Sequence, residues 1–160
     1  VYKRQVFNED KKMLKQNWIS STYTDLNLSI DSPDALYRSP DSTINKLTFI
    51  SSNKNLEINL ITKPIDENSD LSNELINDFK ERNFINVITK NEDFQTLDGD
   101  KGVKIFGSFD DQNLNRKKDY STILFVVNKL SIKLEIIFER GNANLQKIVD
   151  RVINLSLIHI

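Results

Sequence analysis

Apolar and polar positions follow two rhythms along this chain. From Asp25 to Asp31 they alternate strictly, the period-two pattern of a half-buried strand. Trp18 to Tyr23 leads into that strand and Ser32-Pro33-Asp34 is expected to end it, while Tyr37 to Asp41, with a second proline, reads as a loop. Ile44 to Ile50 and Leu56 to Thr62 flank Ser51-Ser52-Asn53-Lys54-Asn55, a turn composition, and so predict a hairpin. In its second arm Leu56, Ile58 and Leu60 alternate with Glu57 and Asn59, which predicts one buried and one wet face before Pro64 closes the strand.

The rhythm then changes. Leu71, Leu75 and Phe79 recur every fourth residue behind Ser69-Asp70, a candidate N-cap, and predict an amphipathic helix reaching Arg82. Phe84 to Thr89 predicts a short strand. Asp98-Gly99-Asp100-Lys101-Gly102 predicts a tight turn between strands at Phe94 to Leu97 and Val103 to Phe109. Asp110 to Asp119, polar except for Leu114, predicts a long hairpin loop. Tyr120 to Val127 and Leu130 to Phe138 flank the short turn Asn128-Lys129. Gly141-Asn142 then opens a last helix with Leu145, Ile148, Val149 and Val152 on one face. The fold class read from this order is α+β: a mainly antiparallel sheet with both helices packed on one face and the other face wet, dimerised or covered by loops.

Composition narrows the chemistry. With 38% apolar and 28% charged residues over 160 positions the balance is globular, and one core is expected. Basic and acidic residues number 22 and 23, so no overall field draws in a nucleic acid, and none is expected as a partner. No cysteine is present, which excludes disulfides, zinc-thiolate sites and thiol catalysis. Apolar runs such as Ile123 to Val127 fall far short of the ~20 residues of a membrane-spanning helix.

The two ends resemble translated sequencing adapter. The transposon mosaic-end sequence reads Val-Tyr-Lys-Arg-Gln in one frame, as residues 1–5 do, and its reverse complement reads Leu-Ser-Leu-Ile-His-Ile, as residues 155–160 do. The expected organisation is adapter at 1–5, a linker or short helix over 6–17, a single domain over 18–154 and adapter at 155–160, a metagenomic fragment of a longer gene. The one histidine, His159, lies in that tail, so any acid-base or metal chemistry would have to be built without it.

The opening Trp18 to Pro33 with its Asp25-Leu26-Asn27-Leu28-Ser29-Ile30-Asp31 strand, the Leu97-Asp98-Gly99 step into a strand, the paired strands from Tyr120 to Phe138 and the last helix together resemble the PsbP/Mog1-like domains. The resemblance implies an α/β sandwich that acts by binding, as in photosystem accessory proteins, a nuclear-transport cofactor and bacterial envelope proteins. It implies a bacterial protein that meets a protein or envelope component, periplasmic or secreted if a signal peptide precedes it and otherwise cytoplasmic.

No constellation carries catalysis. Asp98 to Gly102 lacks the length and closing glutamate of a calcium loop and the following helix of a phosphate loop. Glu57, Glu135 and Glu139 lie on predicted strands and read as solvent-facing, and no serine has a histidine base within 6–154. No catalytic, cofactor or metal residue is therefore assigned. The expected partner surface is Tyr37 and Arg38 in the first loop, Arg116, Lys117 and Lys118 in the long loop, and Phe109. Phe106 and Phe109 point to opposite faces of one strand, so one is core and the other is available to a partner. The alternative is a small hydrolase or ligand-binding enzyme whose acidic residues converge only in the fold; a self-associating structural subunit is a third reading.

Overall fold

A computed structural model of the chain describes residues 10–23, 28–65, 71–96, 99, 101–127, 129–155 and 158–159. A first helix, α1, spans 10–15. It is followed by the strands β1 (Trp18–Tyr23), β2 (Leu28–Pro33), β3 (Tyr37–Arg38), β4 (Lys46–Ile50) and β5 (Leu56–Pro64). Helix α2 (Leu71–Glu81) leads to β6 (Phe84–Gln95), β7 (Lys101–Asp111), β8 (Arg116–Val127) and β9 (Leu130–Glu139). Helix α3 (Ala143–Leu155) and the short β10 (Ile158–His159) complete the order. Among the described residues the main sheet has seven strands, all antiparallel, in the order β3-β4-β5-β9-β8-β7-β6, and a small sheet runs β1-β2-β10.

The α+β class and the antiparallel sheet are as the sequence reads. The helix placement is not. α3 packs on one face of the main sheet, where Leu145, Ile148, Val149 and Val152 join Ile123, Phe125, Ile132, Leu134 and Ile136 in a core that also takes Met13, Leu28 and Ile30. α2 packs on the opposite face, where Leu75 and Phe79 meet Phe109, Tyr120, Leu124 and Ile137. The physical reason lies in β8: its run Tyr120 to Phe125 is buried at every position, as a strand covered on both faces must be.

Several boundaries move. The opening segment is a hairpin, β1 against β2, with Trp18 opposite Pro33, so the proline sits in the strand and not beyond it. Tyr37 and Arg38 form the edge strand β3 against Ile50 and Phe49 and are not loop. Phe84 to Thr89 and Phe94 to Gln95 belong to one strand, β6, bent by an irregularity between Ile85 and Ile88 at which Asn86 adopts φ 52°. The expected long loop shrinks to the turn 112–115. Asp111 Oδ1 accepts from the Asn113 and Leu114 amides at 3.0 and 3.3 Å, and Asn115 turns at φ 50°. The polar residues around it stay in strands because opposite charges face across the hairpin, Arg116 opposite Asp111 and Lys117 opposite Asp110. Ile44, expected to begin β4, lies outside it and is exposed. Asp25, Leu26 and Asn27, the start of the expected first alternating strand, and Ser69, Asp70, Leu97, Asp98, Asp100 and Asn128 lie outside the described residues.

The ends of the elements are tied by side chains. Asn142 caps α3, its Oδ1 accepting from the Leu145 amide at 3.1 Å after Gly141 turns at φ 76°. The buried Asp10 carboxylate accepts from Asn53 Nδ2 at 2.8 Å and Asn142 Nδ2 at 2.9 Å, which binds α1 to the β4–β5 turn and the start of α3. The Arg151 guanidinium lies 3.9 Å from the Trp18 ring centre, whose indole N–H donates to Leu14 O at 3.3 Å.

Candidate functional site

The i, i+4 spacing that turns Leu75 and Phe79 inward also sets Glu74 and Asp78 along one side of α2, facing β5 and β9. Phe79 anchors the helix: its ring lies 5.0 Å from Tyr120 edge-on and 5.3 Å from Phe109, and Phe84 stacks on Phe109 at 4.0 Å. The Tyr120 hydroxyl donates to Ile88 O at 3.1 Å and lies 3.0 Å from Thr89 Oγ1, so its buried oxygen is satisfied.

Just past the helix, Arg82 turns back under it. Its Nη2 donates to both Glu135 oxygens at 2.9 Å and to Asp78 Oδ2, and its Nε donates to Asp78 Oδ2 at 3.1 Å. The guanidinium also lies 5.2 Å from the Phe84 ring centre. Burial works against the Arg82 charge, but Glu135 and Asp78 outweigh it and hold the guanidinium more firmly protonated than usual. Glu135, fully buried, accepts as well from Asn59 Nδ2 at 3.0 Å, and Asn59 Oδ1 accepts from Thr48 Oγ1 at 2.7 Å. A polar chain thus crosses β4, β5, β9 and α2 in the middle of what the alternation in β5 predicts as a wet face. Glu57, two residues along β5, has its carboxyl raised above the usual range, first by burial and then by the neighbouring Glu135 charge.

Beside this chain lies a groove of about 280 Å³ between α2 and the sheet. Ile61, Leu75 and Leu124 give it an apolar floor. Ile61 stands between Lys46 and Lys133 in register, and Lys63 lies two residues further along the same strand face. Lys63 is engaged with Glu74 at 3.3 Å and Arg82 with Asp78. Lys133 Nζ reaches only to 3.8 Å from Glu135 Oε2, an oxygen already taken by Arg82, and Lys46 adds its field to that around Glu57. Two ammonium groups therefore flank an apolar floor while the carboxylates of the groove are committed to other cations. Among the described residues no group of three or more histidine, cysteine, aspartate or glutamate side chains is placed to hold a metal ion.

The residues expected to form a partner surface are not brought together. Tyr37 and Arg38 occupy the β3 edge and, as neighbours in a strand, point to opposite faces. The Arg116–Lys118 stretch starts β8, four strands away, roughly 19 Å at ordinary strand spacing. Arg116 and Lys117 are exposed, but Lys118 is 5% exposed, and burial, then Arg116, push its ammonium below the usual range against the pull of Glu139 and Asp111. Phe109 is 0% exposed at the centre of the aromatic cluster, so it is the core member of its pair; the half-buried one is Phe106, with Lys104 Nζ 5.2 Å from its ring centre. Arg82, Asn59 and Glu135 were missed as a set, and the sequence signal for them is the two-sided burial of β8, which requires a covered face where these residues point.

No family model matches the sequence, and no curated protein matches it. Solved structures do. The cyanobacterial PsbP protein (CyanoP) of Synechocystis superposes with a TM-score of 0.60 at 10% identity, over 90% of this chain and 93% of that one. The Ran-binding protein Mog1p of Saccharomyces cerevisiae superposes with a TM-score of 0.53 at 12% identity, over 87% of this chain and 97% of that one. The chain has the PsbP/Mog1-like fold.

Proposed function

We propose that this chain is a non-enzymatic binding domain and that the groove beside α2 receives an acidic, partly apolar segment of a partner protein or envelope component. The observation that carries the proposal is the pairing of Lys46 and Lys133 across Ile61, with Leu75 and Leu124 completing an apolar floor between them and α2. Such a strip matches a short segment with carboxylates spaced around an aliphatic side chain. That Mog1p is a Ran-binding protein accords with recognition and not catalysis as the use of this fold.

The hydrolase alternative needs a free acid and base facing a cavity. Glu135 is buried below the groove with both oxygens bonded to Arg82, and Asp78 and Glu74 are paired with Arg82 and Lys63. That arrangement supports a binding role. The test is fluorescence anisotropy with a labelled peptide of alternating leucine and aspartate, against wild type and Lys46→Glu/Lys133→Glu. Saturable binding that the double variant loses is expected; equal binding by the variant, or none by wild type, overturns the proposal.

A further inference from the structure

The two edges of the main sheet are unequal. β3 closes one side with two residues, whereas β6 presents twelve on the other. From Ile88 to Asp93 every side chain of β6 is exposed, so neither face of this stretch is covered among the described residues, and Ile88 itself is 58% exposed. Beyond the irregularity at 86–87 the run Ile88 to Phe94 pairs residue for residue with β7 and contains no proline. A long regular edge is a template for another strand unless something blunts it.

We infer that this edge pairs with the same edge of a second copy of the chain, antiparallel about a two-fold axis at Asn91. Facing residues in an antiparallel pair lie on the same side of the sheet, so a symmetric pairing must place its axis on a residue and bring together positions of like parity. With the axis on Asn91, Lys90 faces Glu92 of the second copy and Glu92 faces its Lys90. On that same side Ile88 faces Phe94, and on the other Thr89 faces Asp93. Moving the axis to Lys90 sets lysine against lysine, and moving it to Glu92 sets glutamate against glutamate. Charge thus selects one register of the three. Glu92 already holds Lys104 of its own chain at 3.3 Å, so in the pair it lies between two ammonium groups.

Sedimentation equilibrium of the full chain, up to high micromolar concentration, is expected to show a monomer–dimer equilibrium. Lys90→Glu and Glu92→Lys each turn two attractive cross-strand pairs into repulsive ones and weaken the dimer roughly tenfold or more. Mixing the two variants restores association, because every facing pair is then of opposite sign, and the double variant restores it alone. Circular dichroism on each variant checks that it is folded, and the mixing experiment reads pairing independently of any small loss of stability. A wild type that stays monomeric, as it would if β6 served a strand from another protein, overturns the inference. So does a dimer indifferent to the two substitutions, or one that they weaken without recovery on mixing.

Discussion

Arg82→Met strands a buried carboxylate while keeping most of the side-chain volume. In the native arrangement the two oxygens of Glu135 each take a 2.9 Å bond from Arg82, and the residue has no exposed surface. Without the guanidinium its neighbours are the Asn59 amide at 3.0 Å and the Lys133 ammonium at 3.8 Å. Removing one member of a buried pair costs about 3–5 kcal/mol, a large part of the ~5–15 kcal/mol that holds an ordinary domain. With a urea m-value of about 2 kcal/mol/M, the unfolding midpoint falls by roughly 1.5–2.5 M. Adding Glu135→Leu removes the stranded charge and recovers most of the loss, leaving the Asn59 amide as the main orphan at about 1–3 kcal/mol. Urea titrations of wild type, both single variants and the double variant measure the coupling directly. A loss below about 1 kcal/mol for Arg82→Met, the range of exposed ion pairs, would refute the reasoning, because it would mean that the cluster is solvated.

Other substitutions probe the rest of the framework. Thr122 is wholly buried and its hydroxyl has no hydrogen-bond partner, so Thr122→Val is expected to stabilise the domain by about 1 kcal/mol in thermal or urea unfolding; a destabilised variant would contradict the orphan. At Gly107 a Cβ would lie 1.8 Å from Ile88 O, so Gly107→Ala forces β6 off β7, and amide hydrogen exchange should accelerate along both strands while α3 stays protected. Glu57 is a carboxyl raised by burial and by Glu135, so the folded state holds its proton more tightly than the unfolded chain does. Its contribution to stability is fully present below the ordinary carboxylate range and is lost as pH rises through that range to the raised folded value. Glu57→Gln should therefore be more stable than wild type at neutral pH, with the advantage disappearing below about pH 4; a constant difference across that range would count against the burial of Glu57.

Where one side chain repeats a local period, the sequence was legible. The α2 pattern at Leu75 and Phe79, the α3 pattern from Leu145 to Val152, the β4–β5 and β8–β9 hairpin pairings, and the α+β class all follow from spacing and turn composition. What misled was polarity taken as exposure. Asn59 and Glu135 sit at the polar positions of alternating strands, yet both are buried, because α2 covers that face and Arg82, just past its end, meets Glu135, to which Asn59 also donates. The charged stretch from Asp110 to Asp119 reads as loop by composition, but its charges pair across strands, and only register reveals that. The odd separation of Phe106 and Phe109 puts them on opposite faces, as the structure has them. Which of them is core depends on α2 covering one face, a fact of tertiary packing and not of local pattern.

The groove beside α2 is where a ligand is expected to meet this fold. Amide chemical-shift mapping of the 15N-labelled protein, titrated with the leucine–aspartate peptide, reads that position directly. Shifts that grow with saturation at Lys46, Ile61, Lys63, Leu75 and Lys133, and leave the β6 edge and the α3 face unmoved, are the predicted result. Shifts centred on the α3 face or on Tyr37 and Arg38, or no shifts at peptide concentrations in the millimolar range, would contradict the groove as the binding site.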